Sequence, residues 1–386
     1  MALMLLLTFG CEAVTDAPFS VDEVVVSPQR QGIGIGETLT LEAQVVGEGS
    51  PPQDVFWTSD NASVATVESG GLVTGLAEGE VVISATSVEN PEVSGAAQVA
   101  VSLWREMESP TRDGLRDIWG TAADSVFAVG SGILHYDGTQ WRDMEGPAHV
   151  VAEGVWGSDS DDVFAVGQLG LPLRPDVGAV LHYDGQAWQE VASAPRALEG
   201  VWGSAADNVF AVGEGTTGSG AVFHFDGGSW SDMAIPTDEP LEGVWGAAGD
   251  HVFAVGRAGT VLHFDGGTWS EMASPDDDLL KDVWGSAGED VFAVGRNGTV
   301  LRFDGADWQA MTTPVDETLL SIWGSAPDNV FAVGRAGTIL HYDGATWSEM
   351  TSPTDMSLRG IWGSAADNVF IVGAVDGTIL RFDGPR

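Results

Sequence analysis

Residues 319–350 read LLSIWGSAPDNVFAVGRAGTILHYDGATWSEM, and the chain beyond residue 103 is a set of variations on this stretch. Trp-Gly, then Phe-Ala-Val-Gly, then (His/Arg)-(Tyr/Phe)-Asp-Gly, then Trp recurs with little change. The Trp-Gly tryptophans are Trp119, Trp156, Trp202, Trp245, Trp284, Trp323 and Trp362, spaced by 37, 46, 43, 39, 39 and 39 residues. In 319–350 the apolar runs fall at 319–323, 330–333, 338–342 and 347–350, which makes four short strands. A repeat of roughly 40–45 residues with four strands has the period of one blade of a β-propeller.

The third strand carries Leu340 and Tyr342 on one face and Ile339 and His341 on the other. Apolar side chains on both faces suit a sheet packed between two neighbours. The Gly-Ser-Ala-x-Asp-Asn segment predicts the turn after the first strand, and Asp343-Gly344 predicts the hairpin before the fourth.

The last copy starts at Leu358 and stops before its fourth strand. Its missing piece stands at the other end of the array. Trp104-Arg-Glu-Met107-Glu-Ser-Pro110 matches Trp269-Ser-Glu-Met272-Ala-Ser-Pro275 and Trp347-Ser-Glu-Met350-Thr-Ser-Pro353. The fourth-strand tryptophans are then Trp104, Trp141, Trp188, Trp230, Trp269, Trp308 and Trp347, again seven. Pairing the N-terminal strand with the C-terminal three would close the ring and leave no unpaired seam.

Charge excludes some partners. Against 57 acidic residues stand 15 basic ones, Lys281 being the sole lysine, for a net charge of −42. Such a field repels phosphate backbones, so no nucleic-acid partner is expected. With the single cysteine Cys11 there is no intramolecular disulfide and no C-x-x-C metal site. No run in the body of the chain reaches the ~20 apolar residues that span a bilayer.

Met1 to Phe9 (MALMLLLTF), followed by Gly10 and Cys11, resembles the end of a bacterial lipoprotein signal. The resemblance implies lipidation of Cys11, export, and a place at the outer membrane or cell surface, with membrane contact only through the lipid. An ordinary secretion signal, giving a periplasmic or secreted protein, is the alternative. Residues 12–20 would be a tether.

Residues 21–102 read as a β-sandwich. Thr38-Leu-Thr-Leu-Glu-Ala-Gln-Val45 alternates strictly, with Leu39, Leu41, Ala43 and Val45 on one face. Further strands are predicted at 24–26, 55–58, 64–67, 81–86 and 97–101, separated by Gly/Pro/Asn/Asp clusters. The segment resembles the bacterial immunoglobulin-like group 2 domain through Gly36-Glu37-Thr38, Val55-Phe56-Trp57-Thr58-Ser59, Val64-Ala65-Thr66-Val67, Gly71-Leu72-Val73-Thr74-Gly75 and Gly79-Glu80-Val81. The resemblance implies a spacer, with Trp57 in its core.

The repeats at 103–386 are similar to kelch propellers in their order of glycines, Tyr-Asp and Trp. Their Asp-Gly-x-x-Trp unit looks like a shortened Asp-box of sialidase-like propellers. Both resemblances bear on fold and not on chemistry. The fold class is therefore all-β: an immunoglobulin-like sandwich followed by a seven-bladed propeller.

Comparison among the repeats locates the candidate site. The connection from strand two to strand three is expanded at 168–177 and at 214–220, while the other turns keep one length. Function gathers in irregular loops on a rigid scaffold. On the innermost strand, the position three before the Trp reads Arg116, Glu153, Glu199, Glu242, Lys281, Leu320 and Arg359. Arg257, Arg296 and Arg335 add cations in the two-to-three turns, and Arg174 lies in the longest insertion. The competing reading makes all of these solvated surface charges.

His135, His182, His224, His263 and His341 share one repeat position, with Arg302 and Arg381 in the other two copies. Equivalent places in different blades cannot converge on one metal, which points to structural hydrogen bonding. No cofactor is expected. The acidic linkers Asp276-Asp-Asp278 and Asp238-Glu239 make calcium the one cation to consider, without EF-hand spacing to support it.

No Ser/His/Asp order, phosphate loop or nucleotide fingerprint is present. The function read from the sequence is a monomeric, non-catalytic surface binding or adhesion module for a protein or glycan. The alternatives are a carbohydrate-active hydrolase or lyase using Glu153, Glu199 and Glu242, and a purely structural envelope component.

Overall fold

The computed structural model describes residues 19–147, 149–170 and 177–382. Cys11 and Arg174 lie outside the described residues, as does most of the 168–177 insertion. The chain divides into two compact units, which part at Val99/Ala100 apart from the short segment Gly32–Ile35.

The first unit is all-β. Glu23–Ser27 pairs with Glu42–Val46, Thr38–Thr40 with Leu72–Gly75, and Arg30–Gly34, Ser94–Ser102, Gly79–Ser87 and Val55–Ser59 form a four-stranded sheet in that order. The alternating run at 38–45 behaves as expected on its inner face, where Leu41 and Val45 are buried. It is not one strand, however. Its halves part at Leu41 and pair with different neighbours, Leu39 opposite Val73 and Val45 opposite Val24. The periodicity of a strand survives such a switch of sheet, so alternation alone could not reveal it. Trp57 is 8% exposed and belongs to the core. Arg30–Gly34 (RQGIG) was not expected as a strand, because two glycines and one buried isoleucine offer no pattern to read.

The second unit contains seven four-stranded antiparallel sheets. The sixth is made of Leu319–Ala326, Asn329–Gly334, Ile339–Tyr342 and Trp347–Glu349. Its first strand runs three residues past the expected end at Trp323. Gly324 still pairs with Val330 and Ala326 with Asn329, across a bulge at Ser325. The turn is thus shorter than the Gly-Ser-Ala-Pro-Asp-Asn segment suggests. Its two faces divide as the third strand predicts. Leu340 and Tyr342 bury against Phe292 and Val294 of the fifth sheet. Ile339 buries with Leu358, Val369 and Ile371 of the seventh.

The seventh sheet takes its outer strand from the start of the unit. Trp104–Glu106 pairs antiparallel with Ile379–Phe382, with Trp104 opposite Phe382 and Glu106 opposite Leu380. Trp104 is fully buried between Phe331 and Phe382. On the other face of this sheet, Phe370, Val372 and Ile379 bury with Leu115, Ile118 and Val126 of the first sheet.

Candidate functional site

In each of the seven sheets the innermost strand carries two β-bulges, and the first falls at the same place in every copy. The register shifts between Leu115 and Asp117, Ala152 and Gly154, Leu198 and Gly200, Leu241 and Gly243, Leu280 and Asp282, Leu319 and Ser321, and Leu358 and Gly360. The skipped residues are Arg116, Glu153, Glu199, Glu242, Lys281, Leu320 and Arg359. A bulge re-aims its extra side chain and frees it from the ladder. Its repetition in all seven sheets places these seven side chains on one row of the inner strands.

The side chains form a network. Arg116 donates from Nη1 to both oxygens of Glu153, at 2.5 and 2.6 Å. Lys281 Nζ donates to Glu242 at 2.6 Å, and Arg257 Nε lies 3.5 Å from the other oxygen of Glu242. The Glu153 and Glu242 side chains are only 9% and 8% exposed, so their charges are held by their partners. The Arg257 contact brings a two-to-three turn and an inner-strand bulge to the same place. Arg335, in the equivalent turn of the sixth sheet, lies close enough to act on Arg359.

Two members of the row are left over. Glu199 makes no ion pair among the described residues. Its carboxyl is raised to about 7, first by burial and then by Glu153 and Glu242, against the opposing pull of Lys281 and Arg116. Arg359 has a buried Nε with no hydrogen-bond partner. Burial and the neighbouring Arg116 lower its affinity for its proton, while Glu153 and Glu199 act the other way. Leu320 stands between Arg359 and Lys281 without adding a charge. Arg296 is exposed in its turn.

One position further along, the inner strands read Asp117, Gly154, Gly200, Gly243, Asp282, Ser321 and Gly360. Sequence reasoning passed over this row, although its two acids break a run of small residues. Asp117 accepts the N–H of Ile118 and of Val155 in the next sheet, both at 2.8 Å. Asp282 accepts from Val283 at 2.8 Å, and from Ile322 N–H at 3.0 Å and Ser321 Oγ at 2.8 Å in the next sheet. Each carboxylate therefore ties two neighbouring inner strands. Burial raises Asp117 to about 7, with Asp282 adding to the rise, and raises Asp282 to about 6.

The 214–220 insertion is a tight hairpin end. Gly215 and Ser219 are bonded at 2.6 Å, and Gly218 turns the chain at φ +82°. It continues the ladder between Asn208–Glu214 and Gly220–Phe225. Of the 168–177 insertion, the structure shows its base, where Leu169 N–H meets Val177 O at 2.8 Å.

The repeated histidines serve the scaffold. His341 and His224 bond Asn329 and Asn208 at 2.7 and 2.6 Å, His182 bonds Asp162 at 2.6 Å, and Arg302 Nε donates to Asp290 at 2.8 Å. Each thus pairs with the start of its own second strand. Among the described residues no group of three or more His, Cys, Asp or Glu could hold a metal. In the 276–278 linker, Asp276 is used locally: it accepts the N–H of Asp278 at 3.0 Å.

The comparisons with known proteins follow the division into units. The bacterial Ig-like domain (group 2) family matches residues 20–97. A 3-O-α-D-galactosyl-α-L-arabinofuranosidase of Bifidobacterium longum subsp. longum is 37% identical over 92 residues, which are 24% of this chain and 8% of that enzyme. The chain thus matches a small part of that relative's length. Among solved structures, YCF48 bound to D1 peptide is similar with a TM-score of 0.57 and 17% identity, covering 73% of this chain and 95% of that one. The WD40 β-propeller domain of Doa1 is similar with a TM-score of 0.59 and 9% identity, over 73% and 96% of the two chains. At these identities the likeness is one of fold. The chain is all-β, with an Ig-like domain followed by propeller-like repeated sheets.

Proposed function

We propose that the protein is a non-catalytic surface binding module. An Ig-like spacer, anchored through a lipid on Cys11, presents a closed seven-bladed propeller that takes a protein or glycan on the face of its two-to-three turns. The observation that carries this reading is the ring of bulged residues. It gathers charges of both signs on one row of the inner strands, three Glu, two Arg and one Lys beside Leu320, and a two-to-three turn reaches it through Arg257. A rigid ring with variable inserts is a recognition architecture. The solved structure of YCF48 with D1 peptide supplies a propeller that holds a peptide, which supports a protein partner. The Ig-like domain and the glycosidase relative support an extracellular or surface setting.

The test is a binding screen of the full chain against a glycan array and solubilised envelope proteins, with and without calcium. A companion variant has 214–220 cut to the Arg-Ala-Gly turn of the sixth sheet. Saturable binding weakened at least tenfold by the cut supports the reading. Binding untouched by the cut, and by charge reversal at Arg257 and Arg335, removes the site from this face.

One observation favours a second reading. Glu199 can hold or release a proton near neutral pH, as a general acid does in glycoside cleavage. Turnover of aryl galactosides or arabinofuranosides that Glu199→Gln abolishes would establish an enzyme.

A further inference from the structure

Seven bulged positions carry three acids in consecutive sheets, Glu153, Glu199 and Glu242 in the second to fourth. The cations stand on either side, Lys281 in the fifth sheet, Arg359 in the seventh and Arg116 in the first. The internal pairs consume most of this charge. Arg116 is spent on Glu153, and Lys281 with Arg257 on Glu242. What remains is one acid, Glu199, and one guanidinium, Arg359 with an orphaned buried Nε. Each acts on the other electrostatically, and no hydrogen bond or ion pair joins them. Because the first sheet packs on the seventh, two sheets lie between them on one side and three on the other.

Among the described residues Arg359 has no ion pair, and an incoming carboxylate would meet its terminal N–H groups in a charge-assisted bond, Nε itself being buried. An ammonium would do the same for Glu199. Glu199 and Arg359 stand unpaired on the same row of inner-strand bulges, near enough for one to act on the other, and a ligand with both charges would answer both, whereas a simple anion would approach a strongly acidic protein with half its site unused. Resting on the reading of this ring as a recognition site, we propose that its mouth binds a small zwitterion. The carboxylate sits on Arg359 and the ammonium on Glu199.

Proton linkage supplies an independent signature. Glu199 is held partly protonated near neutral pH by burial and by Glu153 and Glu242, with Lys281 and Arg116 opposing. An ammonium arriving beside it ionises the carboxyl and releases the proton to the buffer. Binding should therefore tighten as pH rises from about 6 to about 8.

The test is calorimetric titration of the full chain with 4-aminobutanoate, 6-aminohexanoate and 8-aminooctanoate, with hexanoate and hexylammonium as single-charge controls. At least one zwitterion should bind at least tenfold more tightly than either control, with a length optimum set by the gap. Arg359→Gln and Glu199→Gln should each lose that advantage, Arg359→Lys should recover part of it, and Glu199→Gln should remove proton release. Hexanoate binding as well as the zwitterions would overturn the proposal in favour of a plain anion site. No binding by any of the series would overturn it outright, as would wild-type affinity in folded Arg359→Gln. Those failures leave the wider reading standing if the same preparation still captures a glycan or envelope protein, and that reading fails separately if it captures neither.

Discussion

The indole of Trp362 lies against Gly120, so that a Cβ on that glycine would sit 2.9 Å from the ring. Trp362 belongs to the seventh sheet and Gly120 to the first, and the same contact steps through the whole array. Trp119 lies on Gly157, Trp156 on Gly203, Trp202 on Gly246, Trp245 on Gly285, Trp284 on Gly324 and Trp323 on Gly363, with built Cβ distances of 2.6–2.7 Å. The Trp-Gly dipeptide is therefore an intersheet lock. Each indole needs the missing side chain of the next sheet, and the seventh contact joins the end of the array to its beginning.

Alanine at these glycines has to displace an indole ring and also meets backbone, with Asp290 O 2.9 Å from the Cβ built at Gly285. Overpacking of this kind costs about 1–3 kcal/mol. Gly285→Ala should lower stability by that amount in denaturant unfolding. Gly132→Ala is the control, because nothing lies within 4 Å of its Cβ. Equal effects at the two positions would show that the lock carries no weight.

Trp104 tests the join by another route. It is fully buried, whereas Trp230, at the same repeat position in the third sheet, is partly exposed. Removing a buried Trp side chain costs about 3–5 kcal/mol. Trp104→Ala should fall in that range and exceed Trp230→Ala, and proteolysis should then begin near the 104–106 strand. A small effect at Trp104 would mean that its pairing with Ile379–Phe382 is dispensable for the ring.

The Arg-x-Gly turns store strain at a residue other than glycine. Ala258 and Ala336 adopt φ +53°, and Asn297 takes the same place at φ +56° with its amide bonded to Asp278 at 2.9 Å. Left-handed backbone costs an alanine roughly 1–2 kcal/mol, and asparagine tolerates it better. Ala336→Asn should raise stability by about 0.5–1 kcal/mol and Asn297→Ala should lower it by a similar amount, both read from thermal unfolding. Opposite signs would refute the strain argument.

What the sequence made legible was whatever the repeats say in unison. Trp104 could be assigned to the far end of the array because its neighbours Glu106, Met107 and Pro110 reproduce those of Trp269 and Trp347. The bulges at Arg116 and its equivalents went unread, although the three-residue step from Leu115 to Ile118 breaks the alternation that an unbulged strand keeps. The row of charges was visible, but its pairing was not. That Glu153 and Glu242 are spent while Glu199 and Arg359 are free depends on which sheets adjoin and how far each side chain reaches. Asp117 and Asp282 stood out only as exceptions to glycine, and their role appears once Val155 and Ile322 are seen to donate to them. The break at Leu41 was hidden for the opposite reason, because both halves of that run share one alternation.

The buried and exposed acids pull stability in opposite directions with pH. Asp117, Asp282 and Glu199 are raised to about 7, 6 and 7 in the folded chain. Between about pH 4 and pH 7 the folded state therefore holds protons that the unfolded chain has released, and stability falls as pH rises through that window. Asp184, Asp226, Asp265, Asp304 and Asp343 behave conversely. Each accepts two backbone N–H bonds in its own turn, which lowers its affinity for a proton. Their contribution is present above the ordinary aspartate range and is lost as pH falls below it. Repulsion within a chain of net charge −42 adds to the loss on the alkaline side. Denaturant unfolding should therefore show greatest stability at mildly acidic pH, about 4–6, and added salt should help most near pH 8. Asp117→Asn should be less stable overall, because its amide group cannot accept from both Ile118 and Val155. Its stability should nonetheless decline less steeply from pH 5 to pH 8 than that of the wild type. A wild-type protein that grows more stable across that interval would show that these carboxyls are ionised in the fold, with solvent or a bound cation meeting their charge.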